Sequence, residues 1–248
     1  MLLENKVAVI YGAGGSIGGA AARAFAHEGA RVLLAGRTKA NLDKVADEIR
    51  SNGGSVESAV VDALNEQSVN QCVDAVVKQA GHIDISFNVI GYGDVQQPLL
   101  EISVADFLQP IMNAMRTQFL TTRAAARHMV RSGSGVILHF GGGGPQTQPG
   151  LGGFKIALDA MEGLRRQWAA ELGPHGIRVL TLKTGGIPET IPDAKEREYI
   201  VANLLPATLL NRTATLTDVG NVAAFVASDQ ARTITSTEVN ISCGAIVD

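Results

Sequence analysis

Val7-Ala8-Val9-Ile10-Tyr11-Gly12-Ala13-Gly14-Gly15-Ser16-Ile17-Gly18 decides the architecture of this chain. Five apolar residues run straight into clustered glycines, and an alanine-rich helical pattern follows from Ala20 to His27, closed by Gly29. The reading is strand, tight turn, helix. Such a turn lets the backbone approach a pyrophosphate closely and aims the positive end of the helix dipole at it. Glycines alone also fit an ordinary flexible turn; the flanks favour a nucleotide site. Its candidate contacts are Gly12, Gly14, Gly15, Ser16, Ile17 and Gly18.

Working outward, strand-like and helix-like patterns alternate almost to the end. Arg31 to Ala35 reads as a second strand, and Leu42, Val45, Ala46 and Ile49 fall at helical spacing behind it. Val56 to Val61 reads as a third strand, followed by a helix carrying Val69, Cys72, Val73, Val76 and Val77 on one stripe. Ile83 to Val89, Val136 to Phe140, Ile177 to Leu182 and Val239 to Ile241 complete about seven strands. Between them lie a long helix, opened by a capping box at Ser103 to Asp106 and running to Met129, and another from Phe154 to Leu172. Strand followed by helix demands right-handed crossovers and a parallel sheet covered on both faces. The expected fold is a single-domain, doubly wound, Rossmann-type α/β sheet over residues 1–248. Thr184 to Ala214 interrupts the alternation with three prolines and a short helix near Lys195 to Leu204, as a lid over the site would.

Composition narrows the function. Of 248 residues, 46% are hydrophobic and 18% charged, enough apolar surface for a well-buried core. The net charge of −3 and scattered basic residues give no footprint for nucleic acid. Two cysteines, Cys72 and Cys243, cannot form a disulfide framework. No apolar window is long enough to span a bilayer, and a strand begins within six residues of Met1, so a cytoplasmic protein without membrane partners is expected. No metal site is expected.

The order of motifs resembles the short-chain dehydrogenase/reductase family across essentially the whole chain. Gly12 and Gly18 match its glycine turn, with Ser16 at the middle glycine. Asn88 and Gly91 fall on the first and last positions of its Asn-Asn-Ala-Gly segment, and Asn113 on its structural and proton-relay asparagine. Glu171-Leu172-Gly173-Pro174-His175-Gly176-Ile177-Arg178-Val179 is close to a family signature. Thr184-Gly185-Gly186-Ile187 stands where the family places Pro-Gly-x-Ile beside the nicotinamide. The resemblance implies a nicotinamide coenzyme, a small-molecule substrate and a homodimer or homotetramer paired through the two long helices. It implies coenzyme contacts at Asp62, Asn88, Gly91, Gly185 and Ile187.

The second strand ends Ala35-Gly36-Arg37-Thr38, with no carboxylate to grip the ribose hydroxyls of NAD(H). A guanidinium fork suits the extra phosphate of NADP(H), so Arg37 favours that coenzyme. The catalytic end departs from the family. A tyrosine four residues before a lysine is expected to move the substrate proton, with a serine after the fifth strand orienting the carbonyl. Placing the lysine at Lys155 puts Leu151 at the tyrosine position and Gly142 at the serine position. Asn113 and Lys155 then remain as the catalytic residues, Lys155 through ribose binding. His139, Tyr92 and Tyr199 are substitute donors to weigh against core packing, a hydrophobic wall and lid contacts; Trp168 fits core or a subunit interface. Ser16-Ile17 and Ile90-Gly91-Tyr92 resemble enoyl reductases of the same superfamily. Two functions follow: an NADP(H)-dependent oxidoreductase of carbonyl, alcohol or conjugated enoyl substrates, or an NADP(H)-binding sensor or assembly protein without catalysis.

Overall fold

The computed structural model describes residues 1–247. Strands β1 (Val7–Tyr11), β2 (Arg31–Gly36), β3 (Ser55–Val60), β4 (Ile85–Asn88), β5 (Gly135–Phe140), β6 (Ile177–Lys183) and β7 (Thr237–Asn240) form one sheet in the order β3-β2-β1-β4-β5-β6-β7. Every neighbouring pair is parallel. The chain winds outward from β1 to β3, then returns to place β4 on the other side of β1. That reversal opens a crevice beyond the carboxyl ends of β1 and β4, where ligands of such sheets bind.

One continuous apolar run can serve two faces because successive strand side chains point to opposite sides. Ala8 and Ile10 of β1 join a core with Phe25, Leu42, Ile49, Val219 and Ala223. These come from α1 (Ser16–His27), α2 (Lys39–Ser51) and α7 (Leu216–Ala227). Val7, Val9 and Tyr11 join the opposite core with Val69, Val73, Leu120, Ala124 and Met129, from α3 (Glu66–Ala80) and α4 (Val104–Ser132). Full burial of a Leu, Ile, Val or Phe side chain is worth about 1.5–3 kcal/mol, so these two layers drive the fold.

Local chemistry sets the helix ends. The Ser103 side chain accepts from Asp106 N, as its spacing suggests, but the complete reciprocal box is at Thr215 and Asp218, starting α7. Gly133 ends α4 in the left-handed conformation at φ 69°. The next helix, α5 (Gly153–Leu172), begins hard against α4: a Cβ on Gly153 would lie 1.9 Å from Phe107 O. Between β6 and α7 runs a segment with α6 (Ala194–Leu204) and short 3₁₀ turns at Pro188–Thr190 and Leu205–Ala207. Among the described residues, α6 buries no side chain. No helix among them is long and apolar enough to cross a membrane.

Candidate active site

A cleft of about 430 Å³ lies at the crevice between β1 and β4, lined by Gly12, Gly14, Gly15, Arg37, Asp62, Gly91 and Asn113 among others. The glycines are sterically required. Gly12 has φ 77°, and a Cβ there would meet Val89 O at 2.7 Å. A Cβ on Gly18 would lie 2.5 Å from Gly12 O, so the first turn of α1 is pressed onto the glycine loop by its lack of a side chain. Gly15 caps α1 without a side-chain hydrogen bond, and Ser16, Ile17 and Gly18 form the first turn with no acidic residue. The starts of α2 and α5 are likewise uncapped and without an acidic first turn, whereas α3, α4, α6 and α7 are capped by Asn65, Ser103, Asp193 and Thr215, each with an acidic first turn. The cleft lining includes Gly15 at the start of α1 and Thr38 at the start of α2, and free N–H groups at such helix starts suit an anion. These residues fit a dinucleotide's diphosphate.

Arg37, directly after β2, is exposed, lines the cleft, and has no ion-pair partner among the described residues. Asp62 follows β3, and its Oδ1 accepts from Leu64 N at 3.0 Å. Asn88 is buried rather than exposed to the cleft. Its Nδ2 donates to Thr121 Oγ1 at 3.1 Å and its Oδ1 accepts from Ile90 N at 3.1 Å, fixing the turn after β4 to α4. Asn113 does similar work one step on, donating from Nδ2 to Tyr92 O at 2.8 Å. Gly185 and Ile187 do not line this cleft: a Cβ on Gly185 would meet Ala245 Cβ at 2.9 Å, and Ile187 is buried in the α1–α7 core.

The β5–α5 side differs from expectation. Leu151 precedes α5, which starts at Gly153, so Leu151 and Lys155 are not one turn apart on a common helix face. Lys155 Nζ donates to Gly144 O at 2.7 Å and to Asp159 Oδ1 at 2.6 Å instead of lining the cleft. The reason is helix geometry: Lys155 and Asp159, four apart, attract each other on a face turned about one quarter-turn from the sheet-facing one. The residues one turn apart on the neighbouring face are Phe154 and Leu158. Phe154 packs on the Tyr92 ring at 6.2 Å, and a Cβ on Gly141 would lie 2.9 Å from Leu158 Cδ2.

The substitute donors are placed as follows. Tyr92 is buried, its hydroxyl donates to Phe140 O at 2.8 Å, and burial raises its phenol well above the ordinary range. His139 is fully buried with Nε2 3.2 Å from Thr122 Oγ1; burial, then the charge of Arg165, pushes its imidazole down to about 3. Tyr199 on α6 is exposed. Trp168 stacks on Phe119 of α4 at 5.7 Å.

One charged residue near the glycine loop escaped the sequence reading. Lys183, the last residue of β6, is buried and pairs with Glu238 Oε2 of β7 at 2.5 Å. On α5, Glu162 and Arg165 form a second buried pair at 2.7 Å. Burial raises the Glu162 carboxyl, which faces Thr181 and Glu238. The signal was present: a lysine ending an apolar strand, at the carboxyl edge where ligands bind.

The family model described as enoyl-(acyl carrier protein) reductase matches residues 12–245. An uncharacterized oxidoreductase, YxbG of Bacillus subtilis (strain 168), is 32% identical over 98% of this chain and 91% of its own length. The 3-oxoacyl-(acyl-carrier-protein) reductase FabG of Thermotoga maritima is 28% identical over 100% of both chains. A solved short-chain dehydrogenase/reductase from Serratia marcescens BCRC 10948 superposes with a TM-score of 0.89 at 27% identity, covering 99% of each chain. With the sheet order, the glycine cradle and the uncapped first helix, these likenesses show that the chain belongs to the short-chain dehydrogenase/reductase family of NAD(P)-dependent oxidoreductases.

Proposed function

We propose that this protein is an NADP(H)-dependent oxidoreductase of small carbonyl, alcohol or conjugated enoyl compounds, working without the family's tyrosine, lysine and serine. The observation carrying the coenzyme choice is Arg37. It lines the cleft at the end of β2 without an ion-pair partner among the described residues, and no carboxylate ends that strand. A guanidinium holds a ribose phosphate through paired charge-assisted hydrogen bonds. Asp62 stands on the adenine side, the first turn of α1 holds the diphosphate, and Asn113 keeps the loop after β4 in place.

By position on the helix, Phe154 and Leu158 take the places of the family's tyrosine and lysine, and Gly142 that of its serine. The coenzyme, when bound, supplies the hydride; the chain orients it and excludes water. Orientation alone contributes about 7–11 kcal/mol, whereas an acid–base group adds roughly 10²–10⁴ in rate. Segment 184–214 serves as the substrate lid, its α6 riding outside the core. Leu108, Met112, Phe119 and Ile156 leave an exposed apolar face on α4 and α5, suited to pairing two copies of the chain.

Calorimetry with NADPH and NADH, followed by an absorbance screen of ketones, enoyl thioesters and alcohols, tests the reading. Tighter NADPH binding with turnover of one class is the expected result. Equal affinity for both coenzymes overturns the NADP(H) preference. Coenzyme binding with no turnover favours the second reading, a nucleotide sensor or assembly protein, which the Lys155–Asp159 pair and the apolar Phe154 and Leu158 support.

A further inference from the structure

Three helices of this chain open with a hydroxyl residue followed three positions later by Asp or Asn. They are α2 with Thr38 and Asn41, α4 with Ser103 and Asp106, and α7 with Thr215 and Asp218. The spacing is that of a capping box. In α7 the box is closed: Thr215 Oγ1 accepts from Asp218 N at 3.1 Å, and Asp218 Oδ2 accepts from Thr215 N at 2.9 Å. In α4, Ser103 Oγ accepts from Asp106 N at 3.1 Å and donates to Asp106 Oδ2 at 2.7 Å. In α2 the box stays open. Thr38 makes no capping bond, and neither its hydroxyl nor the Asn41 amide has a hydrogen bond among the described residues. Helix α2 thus forgoes a stabilising cap that its own sequence supplies.

The open pair belongs to the cleft. Arg37, Thr38 and Asn41 are exposed, and all three line it. Asn41 also abuts the glycine turn, since a Cβ on Gly14 would lie 2.9 Å from Asn41 Cβ. Its amide therefore starts against the diphosphate cradle on the side where Arg37 lies. The neighbouring Lys39 is not part of this wall: Asp43 holds its Nζ at 2.6 Å. Asp62 is the one carboxylate in the lining, and its Oδ1 accepts from Leu64 N at 3.0 Å. An anion at this end of the cleft meets a guanidinium, a hydroxyl and an amide, with no carboxylate from α2. An amide at 41 donates through Nδ2, whereas an aspartate of the same shape only accepts and carries a negative charge.

We propose that Asn41 is a coenzyme-selecting residue, its free amide donating to the ribose phosphate that Arg37 pairs with, beside the free hydroxyl of Thr38. The role deepens the NADP(H) reading and rests on it. Helix α2 leaves its capping pair open because both side chains are kept for the ligand.

Asn41→Asp gives α2 the spacing and chemistry of α7, and so separates binding from stability. Calorimetry is expected to show NADPH affinity reduced about tenfold or more, and affinity for adenosine 2′,5′-bisphosphate reduced by the same factor. NADH affinity is expected to stay within threefold. The Tm of the free protein is expected to rise, because the new carboxylate closes the box with Thr38 and suits the first turn of the helix. Asn41→Ala, which removes the donor without adding charge, is expected to lose about threefold for NADPH and nothing for NADH.

An aspartate variant that binds NADPH within threefold of wild type overturns the role of Asn41 while leaving the NADP(H) reading in place. A lower Tm with NADPH and NADH weakened together overturns it too, and assigns Asn41 to the scaffold. Wild-type protein with equal affinity for NADPH and NADH instead overturns the phosphate preference on which Asn41 depends, and absence of heat with both sinks the coenzyme reading as a whole.

Discussion

The two sides of the cleft use opposite materials. On the β1–α1–β2 side, the work is done by backbone: glycines allow close approach, and an uncapped helix start presents N–H groups. On the β5–α5–β6 side, the work falls to side chains, and there the chain carries Phe154, Leu158, glycines and a buried lysine. Backbone devices tolerate little change, since any side chain at Gly12 or Gly18 collides with main-chain atoms. Side-chain chemistry can be moved from one element to another as long as a group of the right acidity reaches the same point. Binding geometry and proton chemistry are therefore separable in this fold.

The sharpest way to break that contrast is Gly18→Ala. Its Cβ would sit 2.5 Å from Gly12 O and 2.9 Å from Gly12 C and Ala13 Cα, all backbone that cannot swing aside. Calorimetry is expected to lose the NADPH signal, and the protein to lose about 2–4 kcal/mol of stability, seen as a lower Tm. An alanine variant that binds normally would mean the cradle is softer than its contacts imply.

Next in size is the effect of pH on the β5 side. His139 is held neutral down to about 3, whereas an imidazole in the unfolded chain ionises near 6.5. Between these values the unfolded chain binds the extra proton, so stability falls as pH drops through that window, by an amount on the order of a few kcal/mol. Denaturant unfolding at pH 7 and pH 4.5 measures the slope. His139→Asn should flatten it; an unchanged slope would assign the acid sensitivity to another group.

Gly142→Ser tests whether a side chain at 142 and the stem of Lys183 compete for space. The serine Cβ would lie 3.0 Å from the Lys183 stem on a backbone at φ 96°, so a loss of about 1–3 kcal/mol is expected. In a Lys183→Ala background part of that loss should disappear, a coupling that a double-mutant cycle reads as non-additivity. Additive losses would show that the serine and the lysine do not share the volume.

The smallest effect is expected at Arg37. Arg37→Ala should lower NADPH affinity about tenfold while leaving NADH affinity and Tm unchanged, because the residue is exposed and its contribution is confined to the added phosphate. A parallel fall for both coenzymes would make Arg37 a general contact rather than a selector.

The fold was legible because its signals are local and periodic. The run from Val7 to Tyr11, the stripe of Val69, Cys72, Val73 and Val76, and the turn at Gly12 each imply an element without reference to distant contacts, and the strand, helix and turn follow along the chain as expected. Ends shifted where tertiary pairing decides them: β7 begins at Thr237 because it pairs with Leu180 of β6. The glycine turn was legible for the same reason, since glycine spacing encodes backbone approach, whereas Asn88, Gly185 and Ile187, named by motif alone, do not line the cleft. The catalytic side was harder. Lys155 was placed by counting along a motif, but the start of α5 at Gly153 and the attraction of Asp159 decide where its ammonium goes. Lys183 carries no motif; its place beside Gly142 exists only once β5 and β6 pair Phe140 with Leu182.

Because α6 contributes no side chain to either core, its sequence is free of the constraint that ties every other helix to the sheet. Residues such as Tyr199 can change without altering how tightly the scaffold holds together. A lineage built on this chain could acquire new substrates by rewriting those eleven positions while the coenzyme machinery stayed untouched.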